Sequence, residues 1–135
     1  MSAQSDRLAK RLAAIPPAVK AAVQPALIKS GDELAARMQA LAPVRSGALK
    51  ASIEATYPGQ ATPAYSQPGG SRVAKENEVL VTAGNAEVRY PHLVEYGTSH
   101  SPAKPFFWPA YRLTKQRIKN RLKRAVSKAV RENWT

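Results

Sequence analysis

The sequence predicts an α+β fold: one small domain in which an antiparallel or mixed β-sheet packs against a long N-terminal helix and a basic C-terminal helix. Three observations predict it. Apolar residues recur at steps of three and four over 17–41 and again over 107–131, the spacing that lines them up on one helix face. Between those segments, short alternating runs at 48–57 and 78–83 are separated by proline- and glycine-rich turns, the pattern of strands. Finally, the stretch 88–111, VRYPHLVEYGTSHSPAKPFFWPAY, concentrates Tyr90, Tyr96, Phe106, Phe107, Trp108 and Tyr111 among four prolines and Gly97. Rigid rings and fixed φ angles at that density read as a shaped core segment that turns the chain out of a sheet and into a helix.

At 135 residues the chain is expected to form a single domain over 1–135, with length for a modest core. Much of its apolar content is alanine, so the core should be thin and oligomerisation would help it. Cysteine is absent, which excludes disulfides and thiol chemistry. No apolar run approaches bilayer length and no signal peptide is visible, so no membrane partner is expected. Lys and Arg outnumber Asp and Glu by 21 to 9, a net charge of +12. That excess calls for a polyanion or an acidic partner surface and does not choose between them.

Taken in order, 6–15 is a short helix candidate with Leu8, Leu12 and Ile15 on one face, stopped by Pro16-Pro17. The second helix, 17–41, buries Val19, Val23, Ala26 or Leu27, Leu34, Met38 and Leu41, with Pro25 and Gly31 as interruptions and Ala42-Pro43 as its end. Arg45, Ser46 and Gly47 make a turn in which Gly47 supplies a positive φ and Arg45 is a candidate partner contact. Residues 48–57 alternate as a strand, Ile53, Ala55 and Tyr57 against Ser52, Glu54 and Thr56. The segment 58–72, PGQATPAYSQPGGSR, is a long flexible loop or a ragged hairpin extension, with Tyr65 its only aromatic. A second strand is best placed over 78–83, followed by a turn at Gly84-Asn85 and a brief strand or approach over 86–90. Residues 91–95 form a helical turn that brings His92 near Glu95, with Tyr96 packing inward and Gly97 reversing the chain. Pro102 and Pro105 hold 99–104 extended. Phe106, Phe107 and Trp108 bury beside the sheet, at least two of them buried and the third a candidate subunit contact. The last helix presents Tyr111, Thr114, Ile118, Leu122, Ala125 and Ala129 as its core stripe, widened by Val126 and Val130. Arg112, Lys115, Arg117, Lys119, Arg121, Lys123, Arg124, Lys128 and Arg131 occupy the other faces.

Chemistry is sparse. His92 and His100 are the only histidines, with no HExxH, no CxxC and no acid cluster, so neither a metal site nor a cofactor is expected. Gly69-Gly70 is followed by Ser71-Arg72 and not by the lysine of a phosphate loop. His92, Glu95 and a serine could be drawn as a catalytic set, but a packed or surface histidine is the better reading and no enzyme is expected. Glu95 is the more telling carboxylate. It stands ahead of a basic helix and suggests an ion pair with Arg45 or a helix base.

Three motifs taken together carry a resemblance: APVRSGALKASI at 42–53, YPHLVEYGT at 90–98 and PAKPFFWPAY at 102–111, the last followed by the basic helix. In order and spacing over about 19–130, the chain resembles the HK97 gp10-like family of tailed-phage neck or tail-completion proteins. Trp108 and the proline-rich length of 58–70 are its departures from the family pattern. The resemblance implies a structural subunit of the head–tail connector region, a homo-oligomeric ring of six that joins the head-closure layer to the tail. Its partners would then be head-closure and tail-tube or tail-terminator proteins, with transient contact to packaged DNA. Its place would be the neck or tail of the virion, after assembly in the host cytoplasm. A closed ring needs two unlike side faces on each protomer. Arg45, Tyr65, Arg72, Glu95, Arg112, Arg117, Arg121, Lys123 and Arg124 are the candidate subunit- or DNA-facing residues. Gly47, Tyr90, Tyr96, Gly97, Pro105, Phe106, Phe107 and Trp108 form the structural motif. The alternative is a nonspecific nucleic-acid-binding module that uses the basic last helix, although no helix-turn-helix, zinc-finger or RNP pattern accompanies it.

Overall fold

A computed structural model describes residues 16–43 and 47–133 of the chain. The helix expected over 6–15 and the turn residue Arg45 lie outside the described residues.

The elements run α1 (Pro17–Leu41), α2 (Ala48–Ala51), β1 (Glu54–Thr56), β2 (Leu80–Thr82), α3 (Pro91–Tyr96) and α4 (Phe107–Asn133). The α+β class holds: two long helices pack together, and a small two-stranded antiparallel sheet packs against α1. The α1 helix opens with Pro17 in its first turn, where a missing N–H costs nothing. It continues through Pro25 and Gly31, the two expected interruptions. Gly31 is buried, and a β-carbon there would run into Val79. The missing side chain is what lets the helix lie flush against the entry to β2. The helix closes as the Ala42 N–H donates to the Met38 carbonyl at 2.9 Å.

The expected strand over 48–57 is mostly not a strand. Gly47 takes φ 79°, and Ala48–Ala51 forms one helical turn. Ala, Leu and Lys are strong helix formers, and that local preference wins over the weak alternation around it. Only Glu54–Thr56 pairs, in register Glu54↔Thr82, Ala55↔Val81 and Thr56↔Leu80. That register puts Ala55 and Val81 on one face, where they pack against the core, and Thr56 and Thr82 on the other. The segment between the strands is a hairpin extension. Ala61 bridges to Val73 and Gln67 to Ala83, with Thr62 and Ser66 buried inside it. Over 86–90 there is no strand; the Asn85 side chain accepts from Glu87 N and Val88 N, both at 3.0 Å, and shapes a turn.

The two long helices are antiparallel: Ser30 and Glu33 of α1 meet Arg121 and Arg117 of α4 in reverse order. The core is as thin as composition suggests. Ala35, Ala42, Ala83 and Ala110 fill it beside Met38, Leu49, Ile53, Val88 and Phe106. Phe106 and Ala110 are fully buried, and Thr114 caps the same stripe by donating to the Ala110 carbonyl at 2.9 Å. Several stripe residues point elsewhere. Leu41, Tyr111 and Val126 are exposed, because the small residues Ser30, Gly31, Ala35 and Ala110 already make the close contacts.

Candidate functional site

The geometry around 91–111 starts with Glu95. It is buried on α3 and points at the start of α4, where the first amides of a helix have no intrahelical partner. Its Oε1 accepts from Phe106 N and Phe107 N, each at 2.9 Å, and its Oε2 accepts from Trp108 N at 3.2 Å. A carboxylate at that end also opposes the helix dipole. The expected ion pair to a base of the last helix is therefore replaced by a helix cap, and a pairing with Arg45 lies outside the described residues. Nor does His92 meet Glu95. The His92 ring Nδ1 accepts from Gln67 Nε2 at 2.9 Å, and the His92 N–H donates to Gln67 Oε1 at 3.0 Å. Sequence reasoning missed Gln67; no periodic signal marks a glutamine inside a loop.

Gly97 ends α3 with φ 77°, as expected of the reversal. A β-carbon there would lie 2.7 Å from Ala103 N, so the returning chain passes directly over it. Lys104 N donates to the Val94 carbonyl at 2.8 Å and fixes the extended approach past Pro105, which is itself exposed.

The aromatics divide. Phe106 is in the core and Phe107 packs half-buried against it. Trp108, Tyr96 and Tyr111 are 37%, 70% and 41% exposed, which corrects the expectation that Trp108 is buried, that Tyr96 packs inward and that Tyr111 heads the core stripe. They form one exposed array. The Trp108 indole N–H donates to the Tyr96 hydroxyl at 2.8 Å, and Trp108 and Tyr111 meet edge to face at 6.1 Å. Phe107 meets Trp108 in the same way at 5.0 Å. Beside this array lies an apolar cleft of about 290 Å³, walled by Pro68, Pro91, His92, Tyr96, Phe107 and Trp108. The hairpin extension thus reaches the aromatic motif through Gln67, Pro68 and Gly69.

The basic residues divide as well. Arg121 is 13% exposed at its side chain and is held inside the monomer, donating to Ser30 Oγ at 3.1 Å and to Glu33 Oε2 at 2.7 Å. It is not an outward-facing candidate. Ser30 and Glu33 stand three apart on α1 and so reach α4 from the same side, although neither is among the core positions expected of that helix. Arg117, 71% exposed, adds a 3.3 Å ion pair to Glu33. The Arg121 hydrogen bond, with the nearby charges of Arg121, Arg117 and Lys29, holds the Glu33 carboxyl below its usual range despite partial desolvation. Arg112, Lys115, Lys119, Lys123, Arg124, Lys128 and Arg131 are exposed, and among the described residues they make no ion pair. Away from the helix, Tyr65 is 54% exposed at φ 63° with the Arg89 guanidinium 3.8 Å above its ring. Arg72 is exposed, its backbone N–H held by Thr62 Oγ1 at 2.8 Å. Tyr90 is 37% exposed at the head of α3.

Among the described residues no group of His, Cys, Asp or Glu could hold a metal ion, and no helix is long and apolar enough to cross a membrane.

Compared with known proteins, residues 6–97 match a family model described as "Bacteriophage HK97-gp10, putative tail-component". The chain belongs to the HK97-gp10-like family. The matched span covers α1 to α3, the first motif and all but Thr98 of the second, and it ends at Gly97, before the aromatic entry to α4 and the basic helix. No curated protein matches, and no solved structure matches. Family membership makes the chain a structural component related to the phage tail, which places it in the virion among other virion proteins.

Proposed function

We propose that this HK97-gp10-like protein is a subunit of the head–tail connector, a neck or tail-completion ring that joins the head-closure layer to the tail. The observation that supports it is the outer surface of α4. It carries exposed rings, Trp108 being tied by a hydrogen bond to Tyr96 of α3, and beyond them exposed cations that, Arg117 apart, make no ion pair among the described residues. A thin core under so large a committed surface suits a protomer completed by its neighbours. The ring would be a homo-oligomer of six, with its cations toward an acidic neighbour or the packaged DNA. Residues 58–72 would form its peripheral loop.

The test is complementation of a phage lacking the protein by the variant K123E/R124E/K128E. All three residues are exposed, so circular dichroism should report a folded protein. Heads and tails should then form separately while joined particles fall sharply. A folded variant that joins heads to tails at normal yield would remove this face from function. The exposed cations also favour a second reading, a nonspecific nucleic-acid-binding module. Tight, site-selective duplex binding that survives about 0.2 M salt would support a dedicated nucleic-acid module, because phosphate contacts alone weaken steeply over that range, whereas weak binding lost with salt would favour the connector subunit.

A further inference from the structure

We propose that the cleft between the hairpin extension and the start of α4 is the docking site for an acidic segment of a partner protein that inserts one large apolar side chain. The inference rests on the reading of this face as an assembly contact but not on where in the particle the protein sits.

Shape and charge carry it together. The cleft holds about 290 Å³, room for one large side chain, and its walls are mostly carbon: Pro68, Pro91, Phe107 and Trp108, with Tyr96 at the mouth. These walls are preorganised. Glu95 fixes the backbone of Phe106, Phe107 and Trp108, the Trp108–Tyr96 hydrogen bond fixes both exposed rings, and Gln67 ties the opposite wall to His92. Trp and Tyr set around such a pocket have the make-up of an interface hot spot. The charge beside the cleft has one sign. Arg112 follows Trp108 by one helical turn, Lys115 follows Tyr111 by one, and Lys119 continues the same face, all three exposed. The one carboxylate at the cleft, Glu95, is already committed to three amides. Beyond it the next acid in the chain is Glu132. An apolar anchor followed by carboxylates would meet the rings first and the cations next. Duplex DNA offers the charge without the anchor, so a protein segment fits the pair of features better.

The test uses the full chain and fluorescein-labelled short peptides in which Asp and Glu flank a central Trp, Phe, Leu or Ala. Binding is read by anisotropy. At least one of the Trp, Phe and Leu peptides should bind, and its Ala counterpart should bind roughly thirtyfold more weakly, as for loss of a hot-spot side chain. Tyr96→Ala and the double variant R112E/K115E should each weaken binding by tenfold or more while circular dichroism stays unchanged. Both sites are exposed, so folding should survive. Binding that ignores the central residue, or no binding by any of these peptides, would overturn the proposal. So would tighter binding of a duplex at the same salt, which would assign the face to nucleic acid. Concentration-dependent self-association abolished by Tyr96→Ala would assign the cleft to a second copy instead, and would equally overturn it. If the K123E/R124E/K128E variant joins heads to tails normally and still binds the peptide, the connector reading of the basic face fails while this docking site stands.

Discussion

At its first turn α4 is held by contacts that leave little freedom: three backbone amides on one buried carboxylate, Phe106 fully buried, and a ladder of rings from Phe106 to Tyr111. From Lys115 onward the same helix is held by buried Ala129, by Arg121 on Ser30 and Glu33 and by Arg117 on Glu33, while its outer face carries cations that make no ion pair among the described residues. The front of the helix is therefore where stability concentrates, and the rear is where charge is available to something outside the monomer. Substitutions in the two regions should differ in kind: those at the front should unfold, and those at the rear should alter assembly without unfolding.

The largest effect should come from Phe106→Ala. It empties a fully buried site in a thin, alanine-rich core, and should cost about 3–5 kcal/mol in denaturant unfolding. A cost near zero would mean that the front of α4 is not the anchor. Next is Gly97→Val. The positive φ alone should cost about 1–3 kcal/mol, and the new side chain would also press on Ala103 N. An unchanged melting temperature would refute the turn. Glu95→Gln keeps the size but turns one acceptor toward Trp108 N into a donor, and should cost about 0.5–2 kcal/mol, the range for a lost cap. Circular dichroism should show the loss as fraying at the start of α4.

The smallest effect lies at the rear. The folded-state pKa of Glu33 is depressed, so its contribution is present above its ordinary value of 4.5 and is lost as pH falls through the folded value. Because the pair is partly exposed, that contribution should be about 1 kcal/mol or less. Comparing Glu33→Gln with the parent across acid pH should show a gap that is present above the ordinary value of 4.5 and closes as pH falls through the lowered folded value. A gap that widens on acidification would reverse the assignment.

Much of this architecture is legible in the sequence because helical spacing and proline placement are local. The ends of α1 follow from Pro17 and from Ala42-Pro43, and Gly47 and Gly97 adopt the positive φ their turns require. What escaped notice depends on partners distant in sequence. Bulk suggested that Trp108, Tyr96 and Tyr111 face inward, but the polar tips of Trp108 and Tyr96 pair at the surface and Tyr111 packs edge to face beside Trp108, all three exposed. Charge suggested that Arg121 faces outward, whereas Ser30 and Glu33, about ninety positions earlier, draw it in. The pairing of Gln67 with His92 across the cleft has no sequence signature at all. Leu41 and Val126 obey the helical period and still lie exposed, while Met38 and Ala129 of the same stripes are buried.

The central claim is a place in the particle, and electron cryomicroscopy of intact virions tests it most directly. The connector reading predicts density for this fold as a closed ring between the head-closure layer and the tail tube, with α4 turned toward a neighbouring protein or the DNA. Finding the chain at the distal end of the tail, or finding joined particles that lack it, would contradict that reading.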